Sequence, residues 1–199
     1  MAFCILLLVA GNETTTNLIT NAVRLLTEQP HIAESVRQDP SLIPQLTEET
    51  LRYYPPVQAI GRIAAEDVEI AGAHIEKKGD YLISWVASAN RDEQKFEDPD
   101  TFRLDRKSNP HMSFGFGIHF CLGAPLARLE SNIALDVLLH TFQDITCVAE
   151  QLKPIQSTFV FGVKRISCTC HPFLKVPFSG AFFSFSSIHH LFLTFLLRT

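Results

Sequence analysis

A chain of 199 residues, 46% hydrophobic and 19% charged, has the balance of a globular protein with room for one sizeable core. Its net charge of −4 gives no global basic field, which argues against nucleic acid as a partner. The five cysteines (Cys4, Cys121, Cys147, Cys168 and Cys170) are odd in number and irregularly spaced, so a disulfide scaffold is a poor fit and free thiols in a reducing cytoplasm a better one.

The first segment, Met1 to Ala10, is apolar with no basic region before it and gives way to Asn12 and Glu13. That pattern is neither a signal peptide nor a spanning helix, which needs about 20 apolar residues. It predicts the interior half of a buried helix running from Ala2 to Thr27, with upstream sequence expected before it. Two short helical stretches follow between His31 and Tyr54, divided at Asp39-Pro40 and ended by Pro55-Pro56. From Val57 to Val86 the alternation of apolar and polar residues, with turn signals at Ala71-Gly72 and Lys78-Gly79-Asp80, predicts short hairpin strands. Arg91 to Phe120 is rich in Asp, Pro, Gly and Asn without a sustained period and predicts a long ordered loop, a type usually kept for function. A final strong helix is predicted from near Pro125 to about Phe142, with Leu126, Leu129, Ile133 and Val137 on one face. Cys168-Thr169-Cys170-His171 lacks the second ligand pair of a zinc site and reads as strand. The last stretch, 173–199, is rich in Phe and Leu, but Pro177, Gly180, the serines and His189-His190 interrupt it, so it is expected to be an extension rather than a membrane anchor.

The segment that carries chemistry is Phe114-Gly115-Phe116-Gly117-Ile118-His119-Phe120-Cys121-Leu122-Gly123. Its glycines permit tight turns and close approach to a flat group. Cys121 stands just before a predicted helix N-terminus, where amide groups and the helix dipole favour a thiolate. The segment resembles the cysteine-loop signature of the cytochrome P450 family, and two further motifs follow in the family's chain order. Ala10-Gly11-Asn12-Glu13-Thr14-Thr15 resembles the oxygen-activation motif of the family's long central helix, and Glu49-Thr50-Leu51-Arg52 resembles its Glu-x-x-Arg motif. The resemblance covers about residues 2–172 and is nearest to soluble bacterial members.

What it implies is specific. Cys121 would ligate the iron of haem b, while Arg62 and His119 would contact the haem propionates, which need cationic or N–H donors. Ala10, Phe114, Gly115 and Gly123 would lie against the haem, the small Ala10 and Gly11 leaving room for dioxygen. Glu13 and Thr14 match the residues that help deliver protons for oxygen activation, and a Thr14 hydroxyl bonded to a helix carbonyl or a water would open a local kink. Glu49 and Arg52 share a helix face, and Arg106 matches a second arginine that completes a structural triad. Leu6, Val9, Val57, Ala59, Ile60, Phe159 and Val160 match substrate-pocket positions, although apolar residues are more often plain core. Arg128 matches a position on the face where redox partners dock, with a solvated helix charge as the alternative.

The expected fold is mainly α with small antiparallel β-sheets, the carboxy-terminal part of the cytochrome P450 fold in residues 1–172, followed by the apolar extension 173–199. The expected function is haem-thiolate monooxygenation of a small apolar organic substrate, with electrons from a ferredoxin- or flavodoxin-type donor, in the cytoplasm and without a membrane partner. The match begins at the family's central helix, so a separately encoded first half is one expectation. The alternative is a truncated, non-catalytic remnant that binds haem weakly or not at all.

Overall fold

Leucine, valine, alanine and threonine recur through the first 28 residues with no proline among them, and the chain forms one helix there, α1 (Ala2–Glu28). A computed structural model describes residues 2–70, 72–75, 78–147, 153–165, 167–172 and 182–184. Prolines then punctuate the chain as expected. Pro30 opens α2 (Pro30–Gln38), Pro40 opens a single 3-10 turn (Pro40–Leu42), and Pro44 lies in the first turn of α3 (Ile43–Tyr53). After a long loop the last helix, α5 (Ala124–Thr141), again carries proline in its first turn.

One core joins these helices. Ala22, Val23, Leu25 and Leu26 of α1 meet Ile32, Ala33 and Val36 of α2, Ile43 and Leu46 of α3, and Leu135, Leu138 and Leu139 of α5. Phe102 from the long loop closes one side. The two halves of α1 differ sharply. Residues 17–23 are all buried, including Asn17, Thr20 and Asn21, whereas Phe3, Ile5, Leu6, Leu7 and Leu8 are exposed. Asn21 is held by its Nδ2, which donates to the Tyr54 carbonyl at 3.0 Å. By length and composition Phe3–Glu28 is apolar enough to cross a membrane, and among the described residues it is the one such helix. Its buried second half belongs to the core.

The sheets are small and antiparallel. β1 (Ala59–Ile63) pairs not with its neighbour but with β4 (Tyr81–Trp85), and β2 (Val68–Ile70) pairs with β3 (Ala73–Ile75) as an excursion between them. β2 and β3 thus form a hairpin, while Lys78-Gly79-Asp80 leads into β4, which lies beside β1; Ala71 of the other expected turn lies outside the described residues. A one-turn helix, α4 (Val86–Ala89), follows β4. Beyond α5, β5 (Phe142–Cys147) pairs with β8 (Ser167–Pro172), and β8 with β9 (Phe182–Ser184). β6 (Lys153–Pro154) pairs with β7 (Val163–Arg165). Cys168-Thr169-Cys170-His171 thus lies in a strand, and no metal-binding cluster occurs among the described residues. Apart from Phe182–Ser184, segment 173–199 lies outside the described residues.

The apolar face predicted for α5 is real but faces outward. Leu126, Leu129, Ile133 and Val137 are exposed, and α5 turns Ala124, Ser131, Leu135, Leu138 and Leu139 to the core instead. Both sides of this helix are apolar, so periodicity found a face without finding which one this chain covers.

Candidate functional site

The cysteine loop is built by its own backbone. Gly115 and Gly117 adopt φ of 74° and 69°, a left-handed conformation that glycine enters at little cost. These turns bring the Cys121 amide to the Phe114 carbonyl at 2.9 Å, closing the loop. Inside it, the Gly115 amide donates to Met112 and the Phe120 amide to Gly117, making one 3-10 turn at Gly117–His119. Gly123 caps α5, and the Ala124 amide donates to the Cys121 carbonyl at 3.2 Å. The Cys121 thiol is free and exposed, and His119 beside it is exposed too. Around the thiol the loop offers a bare apolar surface, with Phe116 84%, Ile118 97% and Leu122 86% exposed.

Between α3 and the earlier part of the long loop lies an ion network with almost no access to water. Glu49 is 1% exposed and Arg52 fully buried. Arg52 uses every N–H it has. Nε and Nη2 donate to Glu49 at 2.8 and 2.7 Å, Nη2 also to the Thr101 carbonyl, and Nη1 to the carbonyls of Asn90 and Pro99. Arg106 joins through Nε to Glu49 at 2.9 Å, its Nη atoms reaching the carbonyls of Glu97, Asp98 and Thr101. The Arg103 amide and Asn109 Nδ2 complete the shell of Glu49. Charges buried this deeply are tolerated only when such hydrogen bonds replace the lost water. Glu49, Arg52 and Arg106 are therefore together in space, and they tie α3 to the long loop.

Sequence reasoning passed over four residues of this neighbourhood. Asn90, fully buried, accepts the Met112 amide at 2.7 Å and donates to Ser113 Oγ and to the Leu51 and Arg52 carbonyls. Asn109 bonds Glu49, and Glu48 takes hydrogen bonds from both His111 and Arg128. Asn in a Gly- and Pro-rich loop looks like an ordinary turn former, and Glu48 beside Glu49 looks like solvated helix charge. No local signal separates those roles.

Arg128 is tied to α3. Its Nε and Nη2 meet both Glu48 oxygens at 2.6 and 2.9 Å, and its guanidinium sits 4.6 Å from the Phe114 ring centre. Its side chain stays 34% exposed. Burial raises the Glu48 carboxyl, but hydrogen bonds from His111 and Arg128, with the Arg128 charge, outweigh it and hold the pKa at about 2.

The other predicted site residues are placed less closely. Ala10, Gly11 and Glu13 lie on the exposed part of α1, and the Thr14 hydroxyl donates to the Ala10 carbonyl at 2.7 Å. That is the expected bond to a helix carbonyl, made within α1. Among the described hydrogen bonds none joins Glu13 or Thr14 to the cysteine loop. Arg62 is exposed on β1, its Nη1 donating to its neighbour's carbonyl at Gly61. The Val57–Val160 bridge and the Gln58 amide bonded to the Phe159 carbonyl bring the start of β1 against residues 155–162. Val57, Ile60 and Val160 are half-buried there and Phe159 is exposed, but Ala59 is 3% exposed and packs as core rather than lining an open surface. Leu6 is exposed on α1, and the side chain of Val9 lies outside what is described.

Comparison with known proteins fits this geometry. The family model for Cytochrome P450 matches residues 1–169. The chain is 64% identical over 168 residues to Cytochrome P450 109 of Bacillus spizizenii, covering 83% of this chain and 41% of that protein. It is 45% identical over 166 residues to Cytochrome P450 119 of Sulfolobus acidocaldarius, covering 83% of this chain and 44% of that one. Among solved structures it is similar to CYP109E1 from Bacillus megaterium in complex with corticosterone, with a TM-score of 0.79 and 51% identity, covering 82% of this chain and 44% of that chain. The chain thus spans less than half the length of the relatives it matches. Its helix-rich core with small antiparallel sheets is the corresponding part of their fold, and the chain belongs to the cytochrome P450 family.

Proposed function

We propose that residues 1–172 supply the haem-binding half of a haem-thiolate monooxygenase acting on a small apolar organic substrate, with 173–199 an extension outside that role. The observation that carries this is the exposed Cys121 thiol, held by a loop that closes on Phe114 and ringed by bare Phe116, Ile118 and Leu122. That donor set fits haem b. A soft sulfur ligand suits iron, a broad apolar surface suits a porphyrin face, and the exposed Arg62 and His119 suit two carboxylates at its edge. When bound, haem supplies the redox chemistry that places one oxygen atom of dioxygen into a C–H bond and releases the other as water.

The chain's own residues do the rest. Cys121 binds the metal, Phe114, Gly115 and Gly123 shape the loop beneath the cofactor, and Ala10 leaves space above it. Glu13, exposed, and Thr14, whose hydroxyl is already anchored on Ala10, hold and pass protons on the α1 side. Glu49, Arg52 and Arg106 keep the long loop in place. Leu6, Val9, Val57, Ile60, Phe159 and Val160 line part of the substrate pocket. One relative, CYP109E1 from Bacillus megaterium, has been captured with corticosterone and with testosterone, which supports a small apolar substrate of steroid size. The protein is assigned to the cytoplasm, with electrons delivered by a ferredoxin- or flavodoxin-type donor.

A second reading has its own support. Phe3 and Ile5–Leu8 on α1, and Leu126 and Leu129 on α5, form apolar surfaces that this chain leaves bare, and relatives carry more than half of their length beyond the match. The part of the family fold beyond the match, on the same or a separate polypeptide, would cover them; a chain standing alone would be a non-catalytic remnant. The test is to produce the chain together with the remaining part of Cytochrome P450 109 and assay steroid hydroxylation with a ferredoxin and its reductase. Product that disappears with Cys121→Ser supports the enzyme. A pair that takes up no haem, or takes it up unchanged by Cys121→Ser, supports the remnant.

A further inference from the structure

The cysteine loop touches a second charged group, separate from the Glu49 network. Glu48, one residue before Glu49 on α3, takes two hydrogen bonds from Arg128 of α5 and one from His111 at 3.1 Å. His111 is nearly buried, at 3% side-chain exposure. Its Nδ1 accepts the Ser113 amide at 3.3 Å, so Nε2 carries the proton and donates to Glu48. Arg128 and His111 both lie against Phe114, at 4.6 and 6.0 Å from its ring centre. Phe114 is the residue whose carbonyl receives the Cys121 amide.

A continuous chain of contacts therefore runs from α3 and α5 to the sulfur-bearing residue. A bidentate carboxylate–guanidinium pair is geometrically strict, and the planar cation stacked on the ring transmits that strictness to Phe114. The loop's own three hydrogen bonds fix its shape, but its only aromatic anchors toward α3 and α5 among the described contacts are these.

We infer that Glu48, His111 and Arg128 are positioning residues that fix Phe114, and through its carbonyl the backbone of Cys121, against α3 and α5. This rests on the assignment of Cys121 as ligand only for its consequence, that the sulfur is held at a set height before any cofactor arrives.

The test is residue-resolved hydrogen exchange on the full chain without haem, so a failure to bind haem leaves it unaffected. The reporters are the amides of Gly115, Phe120 and Cys121, with Leu25 and Leu46 in the core as controls. Arg128→Ala and Glu48→Gln are expected to speed exchange at the three reporters about tenfold or more while the controls hold. Arg128→Lys keeps a cation over Phe114 but loses the fork, and should fall between. Unchanged reporters in Arg128→Ala would overturn the inference. So would reporters and controls rising together, which marks a role in overall stability alone, or Arg128→Lys matching Arg128→Ala, which removes the ring contact as the link.

Discussion

Glu49 accepts hydrogen bonds from five donors: two from Arg52, and one each from Arg106, the Arg103 amide and Asn109. Glu49→Gln leaves two buried guanidinium groups facing a neutral amide, one of whose atoms is itself a donor. It should cost about 3–5 kcal/mol, read as a lowered midpoint in denaturant unfolding. Glu48 makes a different prediction, one of pH. Its folded pKa, about 2, lies below its ordinary value of 4.5, so the folded chain favours the ionised carboxylate. The stability it contributes is complete above pH 4.5 and is lost as pH falls from there through 2. Melting of wild type against Glu48→Gln across that window checks this. The difference between them should shrink toward the acid end, and a constant difference would contradict the ionic role. In the loop, Gly117→Ala forces a Cβ into φ of 69° and should cost about 1–2 kcal/mol.

At the scale of elements, α5 has two apolar sides with opposite fates. Leu135→Ala, in the core, should lose about 2–5 kcal/mol. Leu126→Ser, on the bare side, should change stability of this chain by no more than about 0.5 kcal/mol and should raise its solubility, measured by light scattering. The same contrast explains what could be read beforehand. Helix boundaries were legible because Pro30, Pro40 and Pro125 fix first turns locally, and the strand at Cys168–His171 because β-type residues show themselves locally. Pairing of β1 with β4 across the β2–β3 excursion was not legible, since the sequence between them carries two equivalent turn signals. Nor was the networked role of Asn90, Asn109, His111 and Glu48, whose partners lie up to 80 positions away. The cysteine loop was legible for the opposite reason: its glycines, Phe114 and Cys121 are neighbours both in sequence and in space.

Taken whole, the molecule is a helical core that completes one face of a site and leaves others open. The Glu49 network fastens the long loop to α3 and the Glu48 group reaches the cysteine loop through Phe114, while the side chains of Phe3, Leu7, Phe116 and Leu126 stay bare at the surface. The central claim is that this half by itself holds a cysteine ready for iron. The measurement that tests it most directly is the carbon monoxide difference spectrum of the haem-loaded, dithionite-reduced chain, taken beside Cys121→Ser. The account predicts a band at the thiolate-ligated position that vanishes with the substitution. A band that survives Cys121→Ser, or no thiolate band in the wild-type chain, would contradict it.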